Sequence, residues 1–400
     1  MNLELAGKIL YISSVDISLN NGPGVNEREF CAALHDLLSE RVHFLIPEPQ
    51  LDNIELPQHA CTFCHPHMRH DPKMFLRHTV SQIRHAEKLT RKKSFDLLVF
   101  RLDILPFAPW YITRKSGIPY VNRHLAKNLM SVLSSKGGLI GKSLEPLNRI
   151  LIKKLVVSAA LSDTVSYNQV VYLKNALKID ESKIICIDNT VNTSRFFPVP
   201  INEARKKLGI EKFDPIIGYV GNHPLLRGGE HLIRVAPKLM QKYPSLGVLI
   251  LGDDGGLERL KKIAVDLKVE TNCVLPGLVP YDQVPSYINS IDVGVSILQS
   301  KEFGASEQKV RQYLACGKPV VATPGSNEFI AEEQLGSLLN NDEFESIAHE
   351  LDRWLSLDTH DRVKFSVRAR DYAENHLSLK ESVRNRLRYW SERLVAEVNK

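Results

Sequence analysis

The sequence predicts an α/β protein in which two domains each carry a parallel sheet covered by helices. Three observations support this. Short segments rich in Val, Ile and Leu alternate with segments of helical period along most of the chain, the pattern of strands buried on both faces. The strand series breaks once, between residues 193 and 215, where "TSRFFPVPINEARKKLGIEKFDP" combines prolines with an amphipathic helix and supplies no core strand, as a hinge or linker would. The length, 400 residues, exceeds what one compact core usually holds and leaves each half enough chain to bury its own.

The strands of the first domain, residues 1–190, are "KILYISS", "RVHFLI", "FDLLVFR", "IPYVNR", "DTVSYN" and "KIICIDN". Those of the second, residues 200–375, are "IIGYVGN", "LGVLILGDD", "CVLPG", "DVGVSIL" and "KPVVAT". In the remaining segment, residues 376–400, "SLKESVRNRLRYWSERLVAEV" places leucines and aromatics at helical spacing. It is a long helix whose partner is either domain, a return to the first being one option.

Composition excludes several classes. Hydrophobic content of 43% and charged content of 24% are those of an ordinary globular chain, and no repeat period or low-complexity tract interrupts it. The start, "MNLELAGKILYISS", lacks the apolar run of a signal peptide, and "LIKKLVVSAAL" is cut by Lys153 and Lys154 well short of a membrane span. Six cysteines scattered through apolar segments read as buried thiols of a reducing compartment. The expected location is therefore cytoplasmic, with the inner face of the membrane as an extension. A formal charge of +6 without an aromatic and basic stripe gives no reason to expect a nucleic-acid partner.

In open parallel sheets, ligands sit beyond the carboxyl ends of the strands, so the loops there are where chemistry is sought. After the first strand, "DISLNNGPGVNEREF" sets Gly22 and Gly24 around Pro23 before a helix. Such glycines let a backbone approach a ligand, and a helix start offers N–H groups to phosphate; a plain tight turn explains them equally well. The matching loop of the second domain, "YVGNHPLLRGGEHLI", holds Gly221, Asn222 and Arg227 ahead of a glycine-flanked helix start. A cation so placed suits a diphosphate, because charge-assisted hydrogen bonds are the strong ones, although a solvated arginine would also sit there. After Leu275, the backbone is either a base-reading edge or an ordinary turn.

Taken in order, "GYVGN…RGG", "LILGDDGGLERL", "VLPGLVPYDQVPSYINSIDVGVS" and "KVRQYLACGKPVVATPGSNEFI", preceded by "KIICIDNTVNTSRFFP", make the chain resemble a family 4 glycosyltransferase, of the glycosyl transferases group 1 type. The resemblance implies a GT-B fold: two facing Rossmann-like domains with parallel sheets and an interdomain cleft. It also implies transfer of a sugar from a nucleotide-diphosphate sugar of UDP or GDP type to a glycan or lipid-linked acceptor. Transfer would retain anomeric configuration and need neither metal nor cofactor. Within the family's phosphate-binding pair, the Lys position corresponds to Arg227 and the Arg position to Asn222. The two family glutamates, eight positions apart, correspond to Gly304 and Gln312, with Glu302 and Glu307 near the first of them. A variant pattern with Ser-Pro-x-Lys before the helix resembles "SEQK", so Ser306 and Lys309 are implied donor contacts. His124, closing "GIPYVNRH", stands where the family commonly carries a histidine near the reacting sugar.

The resemblance thus assigns His124 and Arg227 to catalysis, and Gly24, Asn222, Arg227, Ser306, Glu307, Lys309 and Gln312 to the donor. Arg123 and Lys127 beside His124 either meet an anionic acceptor or are solvated. "QHACTFCHPHMRH" contains Cys61, Cys64, His65, His67 and His70 but only one CxxC, so an acceptor-side loop is expected in preference to a zinc site. The basic stretch "LNRILIKKLVV", residues 147–157, is either a half-buried helix with two solvated lysines or a face resting on anionic membrane, as suits an enzyme of surface polysaccharide or glycoconjugate synthesis. A non-catalytic protein that binds nucleotide sugar or supports a partner enzyme is the alternative.

Overall fold

The computed structural model describes residues 7–52, 54–67, 71–92, 94–124, 133, 138–298, 307–324 and 327–398. The chain divides into two compact units, one made of Met1–Asp188 and Ser382–Lys400, the other of Asn189–Glu381. Their strands pair in parallel throughout the described residues.

The first unit carries β1 (Ile9–Ile12), β2 (Val42–Pro47), β3 (Cys61–Cys64), β4 (Leu97–Arg101), β5 (Tyr120–His124), β6 (Leu161–Thr164) and β7 (Ile184–Cys186), in spatial order β3-β2-β1-β4-β5-β6-β7. Its central strands are buried along all but the final Arg101 of β4, which is why they read as apolar runs. The crossovers run through α1 (Gly22–Leu38), α2 (Pro72–Lys92), α3 (Phe107–Ser116), α4 (Gly138–Ser158) and α5 (Tyr167–Asn175). Asn21 starts α1: its side chain accepts from the Gly24 N–H at 2.9 Å, and Pro23 sits in the first turn, where a missing donor costs nothing.

The second unit carries β8 (Ile216–Val220), β9 (Gly247–Leu251), β10 (Cys273–Gly277), β11 (Val293–Ser296), β12 (Val320–Ala322) and β13 (Gly336–Leu338), in order β10-β9-β8-β11-β12-β13. The helices are α6 (Ile201–Leu208), α7 (Gly229–Met240), α8 (Leu257–Asp266), α9 (Val284–Ser290), α10 (Gln308–Ala315), α11 (Phe329–Glu332), α12 (Phe344–Leu355) and α13 (Thr359–His376). On α7, Leu232, Ile233, Val235, Ala236 and Leu239 are buried, a stripe of helical period laid on the sheet. In each sheet the strand order reverses once, at β1/β4 and at β8/β11, and that reversal opens a crevice at the strand ends.

Three sequence expectations change. Two strands, β3 and β13, were not anticipated: the first is four residues bracketed by histidines, the second three residues including a glycine. The segment 193–215 is no linker, because Phe196 is fully buried in the core of the second unit and Arg205 of α6 binds Asp292 at 2.5 Å. The last helix, α14 (Leu379–Val398), whose partner the sequence left open, joins the first unit from Ser382 onward. There Arg386 Nε donates to Asp163 of β6 at 2.8 Å, and Trp390 is fully buried with its ring 6.5 Å from that of Phe30. The third concerns "CTFC", the residues of β3, which are edge strand and not loop; the strand pairs with β2, Cys61 opposite Phe44 and Cys64 opposite Pro47. Residues three apart on a strand point to opposite faces, so Cys61 and Cys64 cannot close on one ion.

Candidate functional site

At the reversal point of the second sheet, β8 runs out at Val220 into a turn that only glycine tolerates. Gly221 has φ +146°, and a Cβ there would lie 2.9 Å from Lys309 Cε. The Tyr219 hydroxyl donates to the Asn222 carbonyl at 2.6 Å and closes the turn. Further on, Gly228 at φ +113° begins α7, and a Cβ would come within 3.1 Å of Val295 on β11. The Arg227 carbonyl accepts from the Ile297 N–H at 3.2 Å. The loop carrying Arg227 is thereby pressed onto the end of β11.

From the other side comes α10. Its Lys309, Gln312 and Tyr313 share a face by helical spacing. The Tyr313 hydroxyl accepts from the Val220 N–H at 2.7 Å and ties the helix to the end of β8. Lys309 is directed at Gly221, with its ammonium 4.9 Å from the Tyr219 ring centroid.

Arg227 and Lys309 converge on one carboxylate. Glu307 Oε1 accepts from Arg227 Nη1 at 2.5 Å, Oε2 accepts from Ser296 Oγ at 2.9 Å, and Lys309 also donates to Oε2. The Glu307 side chain is 3% exposed, that of Lys309 8% and that of Arg227 28%. Burial by itself raises the Glu307 pKa; the charges of Lys309 and Arg227 and the hydrogen bonds from Lys309 and Ser296 outweigh it and hold the carboxyl below its ordinary value. The group is therefore ionised at neutral pH. Two cations against one anion, with the arginine partly open to solvent, form a centre that can accept an anion bearing several charges.

Each candidate of the sequence can be placed. Arg227, Glu307 and Lys309 come together as described. Gln312, 8% exposed, donates through its amide nitrogen to the Tyr281 hydroxyl at 3.4 Å. Asn222 is exposed. His124 closes β5, with Thr164 of β6 in register beside it. Gly24 lies in the first unit, where a Cβ would meet the Leu19 carbonyl oxygen at 2.5 Å and where its N–H is taken by Asn21. Its need for glycine is met by close packing of the turn. Ser306, Glu302, Gly304, Lys127 and His70 lie outside the described residues.

Arg123 is a correction. It is 4% exposed and meets no solvent partner: it donates to the Tyr11 hydroxyl, lies 3.6 Å from Glu27 and 3.9 Å from Asp163, and stacks 3.3 Å from the Phe30 ring centroid. Next to the histidine-rich segment, His78 of α2 is held by hydrogen bonds on both ring nitrogens. Its Nδ1 donates to the His65 carbonyl at 2.7 Å, leaving Nε2 to accept from Ser14 Oγ at 3.0 Å, and burial drives its pKa down to about 4. Among the described residues no cluster of three His, Cys, Asp or Glu side chains is placed to hold a metal ion. Sequence reading passed over Ser296, Tyr219 and Tyr281. Ser296 hides in an apolar run, and only its place as the last residue of β11 marks it.

Residues 200–375 match the family model described as glycosyl transferases group 1. Among curated proteins, a D-inositol 3-phosphate glycosyltransferase of Segniliparus rotundus is 25% identical over 242 residues, covering 58% of this chain and 52% of that protein. A GDP-mannose-dependent alpha-(1-6)-phosphatidylinositol monomannoside mannosyltransferase of Mycolicibacterium smegmatis is 27% identical over 164 residues, 39% of this chain and 43% of its own. The aligned stretch thus spans about half the length of these curated relatives. Over almost the whole chain, the fold matches a glycosyltransferase from Rickettsia africae, with TM-score 0.72, 18% identity and coverage of 97% and 98%. It also matches Anabaena Alr3699/HepE in complex with UDP-glucose, with TM-score 0.70, 16% identity and coverage of 96% and 100%. Two parallel α/β units, a cationic centre at the strand-order reversal of the second, and the match over residues 200–375 agree: that half of the chain is similar to the glycosyl transferases group 1 family, and the chain has the α/β architecture of GT-B glycosyltransferase structures.

Proposed function

We propose that the protein moves a sugar from a nucleoside-diphosphate sugar to a glycan or lipid-linked acceptor, with retention at the anomeric carbon and without an obligatory metal. The observation that carries this reading is the convergence of Arg227 and Lys309 at the β8/β11 reversal point. Leaving diphosphate needs its charge neutralised as the glycosidic bond breaks, and two fixed cations supply that without an ion of their own to recruit. The departing phosphate oxygen then takes the acceptor's proton on the face from which it leaves, so the new bond forms on the same side. His124, at the end of β5, is assigned to a sugar hydroxyl beside the reacting carbon. Gln312 and Tyr281 are assigned to the nucleoside, and Ser306 and Asn222 to the donor's polar groups.

Uridine and guanosine donors are both in scope: HepE forms a complex with UDP-glucose, and the Mycolicibacterium smegmatis relative is a GDP-mannose-dependent mannosyltransferase. The test is incubation of the pure protein with UDP- and GDP-sugars, with and without a lipid or glycan extract. Release of one nucleoside diphosphate, accelerated by acceptor, undiminished by EDTA and lost in Arg227→Ala, is the expected result. If no nucleotide is released but one binds, the second reading holds, that of a donor-binding partner of another enzyme; Asn222 in place of a family arginine and Gln312 in place of a carboxylate favour it. A protein that binds neither uridine nor guanosine diphosphate at millimolar concentration defeats both.

The assignment to surface-polysaccharide or glycoconjugate synthesis at the inner face of a membrane rests on α4. Its inner face buries Leu151, Ile152, Leu155 and Val156, while Leu147, Ile150 and Val157 stand exposed beside Lys153 and Lys154. Among the described residues no helix is long and apolar enough to cross a membrane. Co-sedimentation with vesicles containing phosphatidylglycerol, weakened by salt and by Lys153→Glu with Lys154→Glu, is the expected behaviour.

A further inference from the structure

We propose that Glu307 is a built-in competitor for the nucleotide's phosphates: its carboxylate occupies the two cations a diphosphate requires, and it thereby limits how tightly the site holds the spent nucleoside diphosphate. The inference rests on the reading of the site given above. Glu307 is the residue at the start of α10, with extended φ −93° and ψ 107°, where a short polar side chain such as Asp or Ser ordinarily folds back to cap the helix's own N–H groups. It makes no such cap bond. It turns instead toward the sheet, where Ser296, the last residue of β11, fixes Oε2 at 2.9 Å while Arg227 and Lys309 close around both oxygens.

A carboxylate in this position has the charge and hydrogen-bonding capacity of one phosphate edge, and it is tethered, so it never leaves by diffusion. An incoming diphosphate must share Arg227 and Lys309 with it or push it aside. The two forms of nucleotide feel this differently. A terminal phosphate ionises a second time near neutrality, so the free nucleoside diphosphate presents more negative charge than the sugar-linked donor, whose terminal phosphate is esterified. Repulsion from Glu307 therefore weighs more on the product than on the donor, and the site sheds its product in favour of fresh donor. The cations remain aimed by the same carboxylate in the interval.

The test measures, by titration calorimetry, the affinity of wild type and Glu307→Gln for uridine diphosphate, guanosine diphosphate and inorganic pyrophosphate, beside the affinity for the corresponding donor sugars. Glu307→Gln is expected to tighten nucleoside diphosphate about tenfold, to tighten the donor less, and to steepen the salt dependence of both. Adding Arg227→Met to Glu307→Gln is expected to abolish the gain. Damage to the fold lowers affinity, so a gain is a readout that a merely structural role for Glu307 does not produce. If wild type binds nucleotide and Glu307→Gln binds it no more tightly, the inference falls and the proposed function stands. If neither binds any of the probes, both fall. Should Glu307→Gln not fold, Ser296→Ala, which loosens the carboxylate without removing it, is expected to tighten nucleoside diphosphate about twofold, and unchanged affinity there overturns the proposal as well.

Discussion

Glu27 in the first unit and Glu307 in the second are both buried carboxylates that bind two cations, yet they sit in clusters of different kinds. Glu27, with no exposed surface, accepts from Arg101 at 2.7 Å and from the Tyr11 hydroxyl at 2.8 Å and lies 3.6 Å from Arg123. Burial raises its pKa, and Arg101, Arg123 and hydrogen bonds from Ser13 and Tyr11 outweigh it, as at Glu307. The chain of charges continues from Arg123 to Asp163 and on to Arg386 of α14, whose side chain is 4% exposed. Its members pair with one another inside the protein, although Arg123 Nε, 3.9 Å from Asp163, makes no hydrogen bond. Around Glu307 the arginine remains 28% exposed. A closed ionic chain fixes an element in place, whereas one with a reachable cation keeps a place for a ligand.

That contrast predicts where mutations act. Asp163→Ala should be the most damaging, because it leaves Arg386 buried beside no carboxylate of its own; a loss of about 3–5 kcal/mol in urea unfolding is expected. A loss under about 1 kcal/mol would mean that the first cluster is open after all. His78 offers a second probe of the closed half. Its folded pKa, about 4, lies below its ordinary 6.5, so the fold favours the neutral ring. Stability from this group is complete above pH 6.5 and drains away as pH falls toward 4, about 3 kcal/mol in all. Unfolding free energies at stepped pH should show this fall in wild type and lose it in His78→Gln.

Effects at the open cluster should appear in binding. Arg227→Met is expected to weaken nucleoside-diphosphate binding by about 1.5–3 kcal/mol, the value of a charged hydrogen bond, while stability changes little because Lys309 and Ser296 still hold Glu307. An unfolding midpoint that drops as far as that of Asp163→Ala would erase the distinction between the clusters. The smallest effect belongs to Gln312→Glu, which would accept from the Tyr281 hydroxyl instead of donating to it. It should tighten nucleotide binding by about 1 kcal/mol, somewhat under tenfold.

Much of this was readable from residues alone. Long apolar strands such as β8 and β9 announce themselves because both faces are buried, and the glycines at 221 and 228 mark turns whose φ no other residue adopts cheaply. Arg227 was found because a cation beside a glycine-flanked helix start has a local signature, and Lys309 through the resemblance of "SEQK" to a family pattern. What the sequence concealed depends on distant pairing. Ser296 matters only because β11 stops there, beside a carboxylate from another element, and Arg123 looked available until β5 was seen flanked by β4 and β6 with Glu27 and Asp163 on either side. Strands β3 and β13 are too short for a period to emerge. The segment from 193 to 215 misled through its prolines; Phe196, Ile210 and Phe213, buried in the core of the second unit, decide its allegiance.

The return of α14 has a consequence for synthesis. Trp390 and Arg386 complete the interior of the first unit, but a ribosome delivers them only after the whole second unit has emerged. Until then Asp163 waits without its guanidinium, and the earliest part of the polypeptide is the last to be sealed. A protease challenge of stalled nascent chains should find the amino-terminal half susceptible up to the moment residue 390 clears the exit tunnel.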